Sequence, residues 1–138
     1  MITRFQPKAV PASKAPFSQV VMDDHYAFLS GLVAADFPEG CAVLGDVGAE
    51  TRAVLTAIRH ILAEIELGLE RIVRVDVHLA SLDDFDAMDT AYREFFDTGE
   101  QPARTTTESA RLFGHSLVEI TCQARLQPSD LSVPGSKL

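Results

Sequence analysis

The sequence has little of what a small protein uses as a staple. It contains two cysteines, Cys41 and Cys122, far apart and outside any CxxC pair, a pattern that predicts reduced thiols and no disulfide framework or zinc site. Its four histidines, His25, His60, His78 and His115, lack the short spacings of metal ligands, so no metal is expected. There is no basic run: twelve lysines and arginines against twenty aspartates and glutamates leave a net charge of −8. That balance argues against nucleic acid or an anionic membrane surface as a partner. No apolar stretch approaches the roughly 18 residues of a membrane span. Pro7 and Pro11 break up the segment from Met1 to Pro16, so no secretory leader is expected and the reading is a cytoplasmic protein. Internal repeats and low-complexity linkers are also missing. The 138 residues therefore read as one domain, large enough to bury about two-thirds of the surface of its unfolded chain.

What is present is periodicity. Phe17 to Met22 and Tyr26 to Gly31 are apolar runs around Asp23-Asp24-His25, which predicts a strand hairpin as the first ordered element. Pro38, Gly40, Gly45 and Gly48 mark residues 34–48 as an irregular connection. From Ala49, the three- and four-residue steps of Val54, Ile58, Ile61 and Ile65 predict an amphipathic helix, with Gly68 as its stop. Val73, Val75, Val77 and Leu79 alternate with Arg74, Asp76 and His78, the mark of a half-buried strand. Ser81 then reads as an N-cap, and Phe85, Met88, Tyr92 and Phe95 as the apolar face of a second helix. Arg104 to Ala110 and Leu117 to Leu126 are the last two strands, Phe113 to Ser116 the turn between them, and Pro128 to Leu138 a loose tail. The expected fold is α+β: a mixed sheet of four to six strands with both helices on one face. In the last strand Val118, Ile120, Cys122, Ala124 and Leu126 should face the helices, leaving Glu119, Thr121, Gln123 and Arg125 on an uncovered side that stays wet or meets another subunit.

Several short words occur in a fixed order along this frame. They are Ala15-Pro16-Phe17-Ser18-Gln19, Leu29-Ser30-Gly31, Gly45-Asp46 with Thr51, Tyr92-Arg93-Glu94-Phe95-Phe96, Pro102-Ala103-Arg104-Thr105, Ala110-Arg111-Leu112 and Val118-Glu119-Ile120. The colinear set, from about residue 13 to 126, resembles the Rid/YjgF family. The resemblance implies a chorismate-mutase-like fold, a homotrimer with ligand clefts between subunits, and hydrolytic deamination of reactive enamine or imine acids to 2-keto acids and ammonia without a cofactor. The alternative within the same family is a non-catalytic trimer that binds a small carboxylate or a protein.

By the same resemblance, Arg104 matches the arginine that clamps a substrate carboxylate, a task for which a planar guanidinium fork is suited. Glu119 matches the glutamate that directs the attacking water, since imine hydrolysis needs a group that can accept and return a proton. Phe17, Ser30, Gly31 and Thr106 fall at positions lining the cleft. Three of the chain's residues depart from the deaminating pattern: Phe17 stands for a tyrosine, Asp89 for an asparagine and Thr106 for a cysteine. The lost hydroxyl is worth about 0.5–1.5 kcal/mol. Asp89 adds a negative charge that would repel a carboxylate if it lies beside the cleft. Taken alone, Arg104 and Glu119 would read as solvated strand residues, and Phe95 and Phe96 as core or interface packing.

Overall fold

A computed structural model describes residues 1–97 and 99–127. Six strands form one sheet: β1 (Thr3–Phe5), β2 (Val20–Met22), β3 (Tyr26–Val33), β4 (Ile72–Leu79), β5 (Ala103–Glu108) and β6 (Val118–Arg125). Their order is β1-β2-β3-β6-β4-β5, antiparallel throughout except for the parallel β4–β5 pair. The helices are α1 (Pro38–Cys41), α2 (Val47–Ala63) and α3 (Phe85–Arg93). This is the α+β architecture expected, with a mixed sheet. No described helix is long and apolar enough to cross a membrane.

The core lies between the sheet and the α2–α3 layer. Val54, Leu55, Ile58, Ile61 and Leu62 of α2 and Met88 of α3 are buried over Val75, Val77 and Leu79 of β4 and Val118, Ile120 and Cys122 of β6. Across β4, β5 and β6 the other face is polar, and no described helix covers it. Arg74, Asp76 and His78 alternate outward there with Thr105, Thr107, Glu119, Thr121 and Gln123 of the neighbouring strands. Arg74 bonds Asp76 at 3.0 Å and Thr105 at 2.6 Å, and His78 Nδ1 lies 2.8 Å from the Thr107 hydroxyl.

Several boundaries differ from the sequence reading. The hairpin is not the first element, because β1 pairs with β2, and Val10, upstream of the hairpin, is buried in the core. Only Val20–Met22 of the first apolar run is strand, and Phe17 lies outside it, while β3 continues two residues past Gly31. Residues 34–48 contain a turn of 3₁₀ helix and α1. Helix α2 begins at Val47, not Ala49, because the Asp46 carboxylate caps it by accepting from the Ala49 N–H at 3.1 Å. It ends at Ala63, and Gly68 is not its stop. The reversal is made at Glu66, with φ of 61°, and the Leu67 N–H closes on the Leu62 carbonyl at 2.9 Å. Val73 does not share the inward face of Val75. A register shift between Ile72 and Arg74 puts Ile72 in the core and leaves Val73 42% exposed. Ser81 caps a 3₁₀ turn, Leu82–Asp84, that leads into α3, and Phe95 lies past the end of that helix. The tail expected from Pro128 lies outside the described residues.

Candidate active site

Arg104 sits on the covered face. It is the register partner of buried Val75, so its side chain rises beside α3. That helix meets it with one stripe: Phe85, Asp89 and Tyr92 follow one another at four- and three-residue steps and so stand above one another. The Arg104 guanidinium donates from Nη1 to Asp89 Oδ1 at 2.7 Å, with its carbon 4.7 Å from the Tyr92 ring centre and 5.6 Å from that of Phe85. Two aromatic faces and a carboxylate thus hold a side chain that remains 21% exposed. Its open edge borders a cleft of about 250 Å³ lined by Asp89, Tyr92, Arg93, Gln101, Pro102 and Arg104.

Electrostatics around Arg104 are tight. Asp89 Oδ2 also forms an ion pair with Arg93 Nη2 at 3.2 Å, on the solvent side. Burial pushes the Tyr92 phenol up to about 12, against the pull of the Arg104 charge. The Tyr92 hydroxyl and the Thr106 Oγ1 are buried without a partner among the described residues. Thr106, two residues along β5, shares the face of Arg104.

Glu119 stands elsewhere. It lies on the open face, with His78 as its cross-strand neighbour on β4 and Val33 on β3. Gly31 lies beneath its carboxylate: a Cβ built there would stand 2.7 Å from Glu119 Oε2 and 3.0 Å from Thr121 Oγ1. The β3–β6 register shift between Leu29 and Leu32 makes this approach, and only glycine leaves room for it. Ser30 ties the strand to the preceding segment, its Oγ donating to the Ser18 carbonyl at 2.7 Å and its N–H to the Gln19 carbonyl at 2.9 Å. Phe17 is 50% exposed and lines a separate hollow of about 170 Å³ with Gln19, Asp36 and Phe113.

The single chain therefore brings Gly31 to Glu119 and Thr106 to Arg104, but it does not bring Arg104 to Glu119. Cys122 lies opposite Val75 in β6 and shares the face of Arg104, while Glu119 is an odd number of residues from Cys122 and points the other way. Two inter-strand steps of about 4.8 Å and the thickness of the sheet separate them. The sequence reading missed the cage around Arg104. Phe85 and Tyr92 were readable only as core positions, and Asp89 only as a departure from a pattern. Their shared helix stripe was the available signal, but it does not say which strand the stripe covers. Among the described residues no cluster of three or more His, Cys, Asp or Glu could hold a metal ion.

With both residue groups placed on this frame, comparison with known proteins decides the family. The family model described as endoribonuclease L-PSP matches residues 7–126. The chain belongs to the Rid/YjgF family. A RutC family protein of Synechocystis is 35% identical over 123 residues, covering 88% of this chain and 94% of its own. The 2-iminobutanoate/2-iminopropanoate deaminase of Capra hircus is 34% identical over 110 residues, covering 80% of each chain, so imine deaminases stand among the Rid/YjgF relatives of this chain. The crystal structure of yeast Mmf1 superposes with a TM-score of 0.82 at 26% identity, over 92% of this chain and all of the other.

Proposed function

We propose that the protein hydrolyses small enamine or imine acids to 2-keto acids and ammonia, at clefts formed between copies of the chain in a homotrimer. Arg104 of one copy binds the substrate carboxylate and Glu119 of the next directs water. The observation that carries this reading is the posture of Arg104, a planar cation lying over the rings of Tyr92 and Phe85 at the border of a cleft. Such a fork is organised for a carboxylate before the ligand arrives. The deaminase name carried by the goat relative gives the reaction class. Because Arg104 and Glu119 lie on opposite faces of one sheet, a site using both is completed by a second copy, and the polar helix-free face gives that copy a surface to pack against.

The chemistry is hydrolysis. A water oxygen bonds to the imine carbon while its proton passes to the Glu119 carboxylate. That proton is returned to nitrogen to give a carbinolamine; the hydroxyl proton then passes to nitrogen by the same carboxylate, the C–N bond breaks with its electron pair leaving on nitrogen, and the products are a 2-keto acid and ammonia. Gly31 lets the carboxylate lie flat against the β3 backbone, and Ser30, Phe17 and Thr106 border the two halves of the cleft. A second reading, a non-catalytic trimer that binds a small carboxylate or a protein, takes its support from one observation: Asp89 already occupies part of the Arg104 fork and so withholds a donor from a reacting acid. Ammonia release from freshly generated 2-iminopropanoate, run beside an RNA cleavage assay, separates the readings. Catalysed ammonia release supports the deaminase. Carboxylate binding with no catalysed release supports the binding module, and RNA cleavage alone would overturn both.

A further inference from the structure

The contact between Asp89 and Arg104 bears on which ligand the cleft accepts, an inference that rests on the Arg104 cleft being the ligand site. We propose that Asp89 is a specificity-determining residue that sets the cleft to take a zwitterionic amino or iminium acid in preference to a simple carboxylate anion. Arg104 and Asp89 are in contact at 2.7 Å, so the bottom of the cleft carries a plus and a minus charge side by side and no net charge of its own. The nearest further cation, Arg93, is 68% exposed on the solvent side of Asp89, where water screens it. A carboxylate that docks on the remaining N–H groups of the Arg104 fork comes to rest a few ångströms from the Asp89 carboxylate and is repelled by it. A ligand that carries a positive nitrogen on the carbon next to its carboxylate turns the same neighbour to advantage. Its carboxylate meets Arg104 and its N–H groups meet Asp89, which uses one oxygen for Arg104 and the other for Arg93 and still has lone pairs to offer.

The selected form is also the reactive one. An iminium carbon is a better electrophile than that of the neutral imine, because the positive nitrogen draws electrons from it and adding water leaves a neutral amine in place of a nitrogen anion. Asp89 would thus favour the protonation state in which water adds most readily. An asparagine at this position would keep an oxygen acceptor for Arg104 while removing the charge, and with it the preference.

Calorimetric titration of the full chain with L-2-aminobutanoate and with butanoate, matched in length and differing in the ammonium group, tests the proposal. The wild type is expected to bind the zwitterion about tenfold or more tightly than the anion. Asp89→Asn is expected to erase most of that ratio, chiefly by gaining affinity for butanoate, and Asp89→Glu, which keeps the charge, to retain a preference for the zwitterion. Melting temperatures of all variants are compared so that a change of ratio is not confused with loss of structure. Arg104→Gln is the control for the site. If it abolishes binding of both ligands while Asp89→Asn leaves their ratio unchanged, the inference about Asp89 is overturned and the cleft assignment stands. If Arg104→Gln binds both ligands as the wild type does, or the wild type binds neither, the cleft assignment fails and the inference falls with it.

Discussion

At the scale of single residues, Gly31 gives a sharp test of the Glu119 assignment. A methyl group at position 31 would meet the ends of the Glu119 and Thr121 side chains, not backbone, so the fold has a soft way to accommodate it. Gly31→Ala is therefore expected to leave the melting temperature close to wild type while turning the carboxylate aside and lowering kcat for imine hydrolysis about tenfold or more. An unchanged kcat would mean that Glu119 does not act from this position. The cysteines give a second test. Cys41 is exposed, whereas Cys122 is buried in β6 and burial pushes its thiol up from 9.0 to about 12. With the folded value raised, Cys122 contributes stability that is intact below about pH 9 and lost as pH rises toward 12. A thiol reagent at pH 8 is expected to titrate one cysteine in the native protein and two after denaturation. Two reactive thiols in the native protein would contradict the packing of β6. At this scale the neighbours of Arg104 were not legible in the sequence. Arg104 and Asp89 are fifteen positions apart, and their contact depends on how α3 crosses β5, which no local pattern encodes.

At the scale of elements, the alternation of β4 and β6 was readable because one face of each strand is apolar, and the helix period of α2 for the same reason. The ends were less readable, because side-chain caps and reversals set them. Asp46 begins α2 two residues early, and Glu66 turns the chain where Gly68 had been expected to. One buried side chain illustrates what periodicity hides. Glu50, on the inner side of α2, is fully buried and accepts from the Gly45 N–H and the Leu117 N–H, both at 2.8 Å. It joins the start of α2 to the start of β6. Glu50→Ala leaves two donors unpaired and is expected to cost about 2–5 kcal/mol in urea unfolding. Glu64 also accepts two backbone N–H groups, from Lys8 and Ala9, but at an exposed site where water can replace it. Glu64→Ala is expected to cost no more than about 1.5 kcal/mol. Equal losses in the two variants would refute the view that Glu50 clamps two elements.

At the scale of the whole molecule, the α+β class follows from the order of strands and helices, but the placing of Arg104 and Glu119 on opposite faces does not. Whether two residues on different strands share a face depends on register and on every bulge between them. The chain has such shifts at Leu29–Leu32 and Ile72–Arg74. Counting along the sequence puts Arg104 and Glu119 in one motif set, and the sheet puts them on opposite sides. A trimer reconciles the two, and light scattering is expected to give about three times the 15.0 kDa chain mass. The most direct test of a site shared between copies is complementation. Arg104→Lys and Glu119→Gln are each expected to reduce deaminase kcat/KM strongly, by about 10²–10⁴-fold for the glutamate, in proteins that remain folded trimers. Mixed trimers, purified through a different tag on each variant, should then regain ammonia release from 2-iminopropanoate, because one kind of interface pairs an intact Arg104 with an intact Glu119 of the other copy. Recovery to a substantial fraction of wild-type turnover is the predicted result. Mixed trimers as inactive as their parents would contradict the account, since they would place both residues of each working site in one and the same copy.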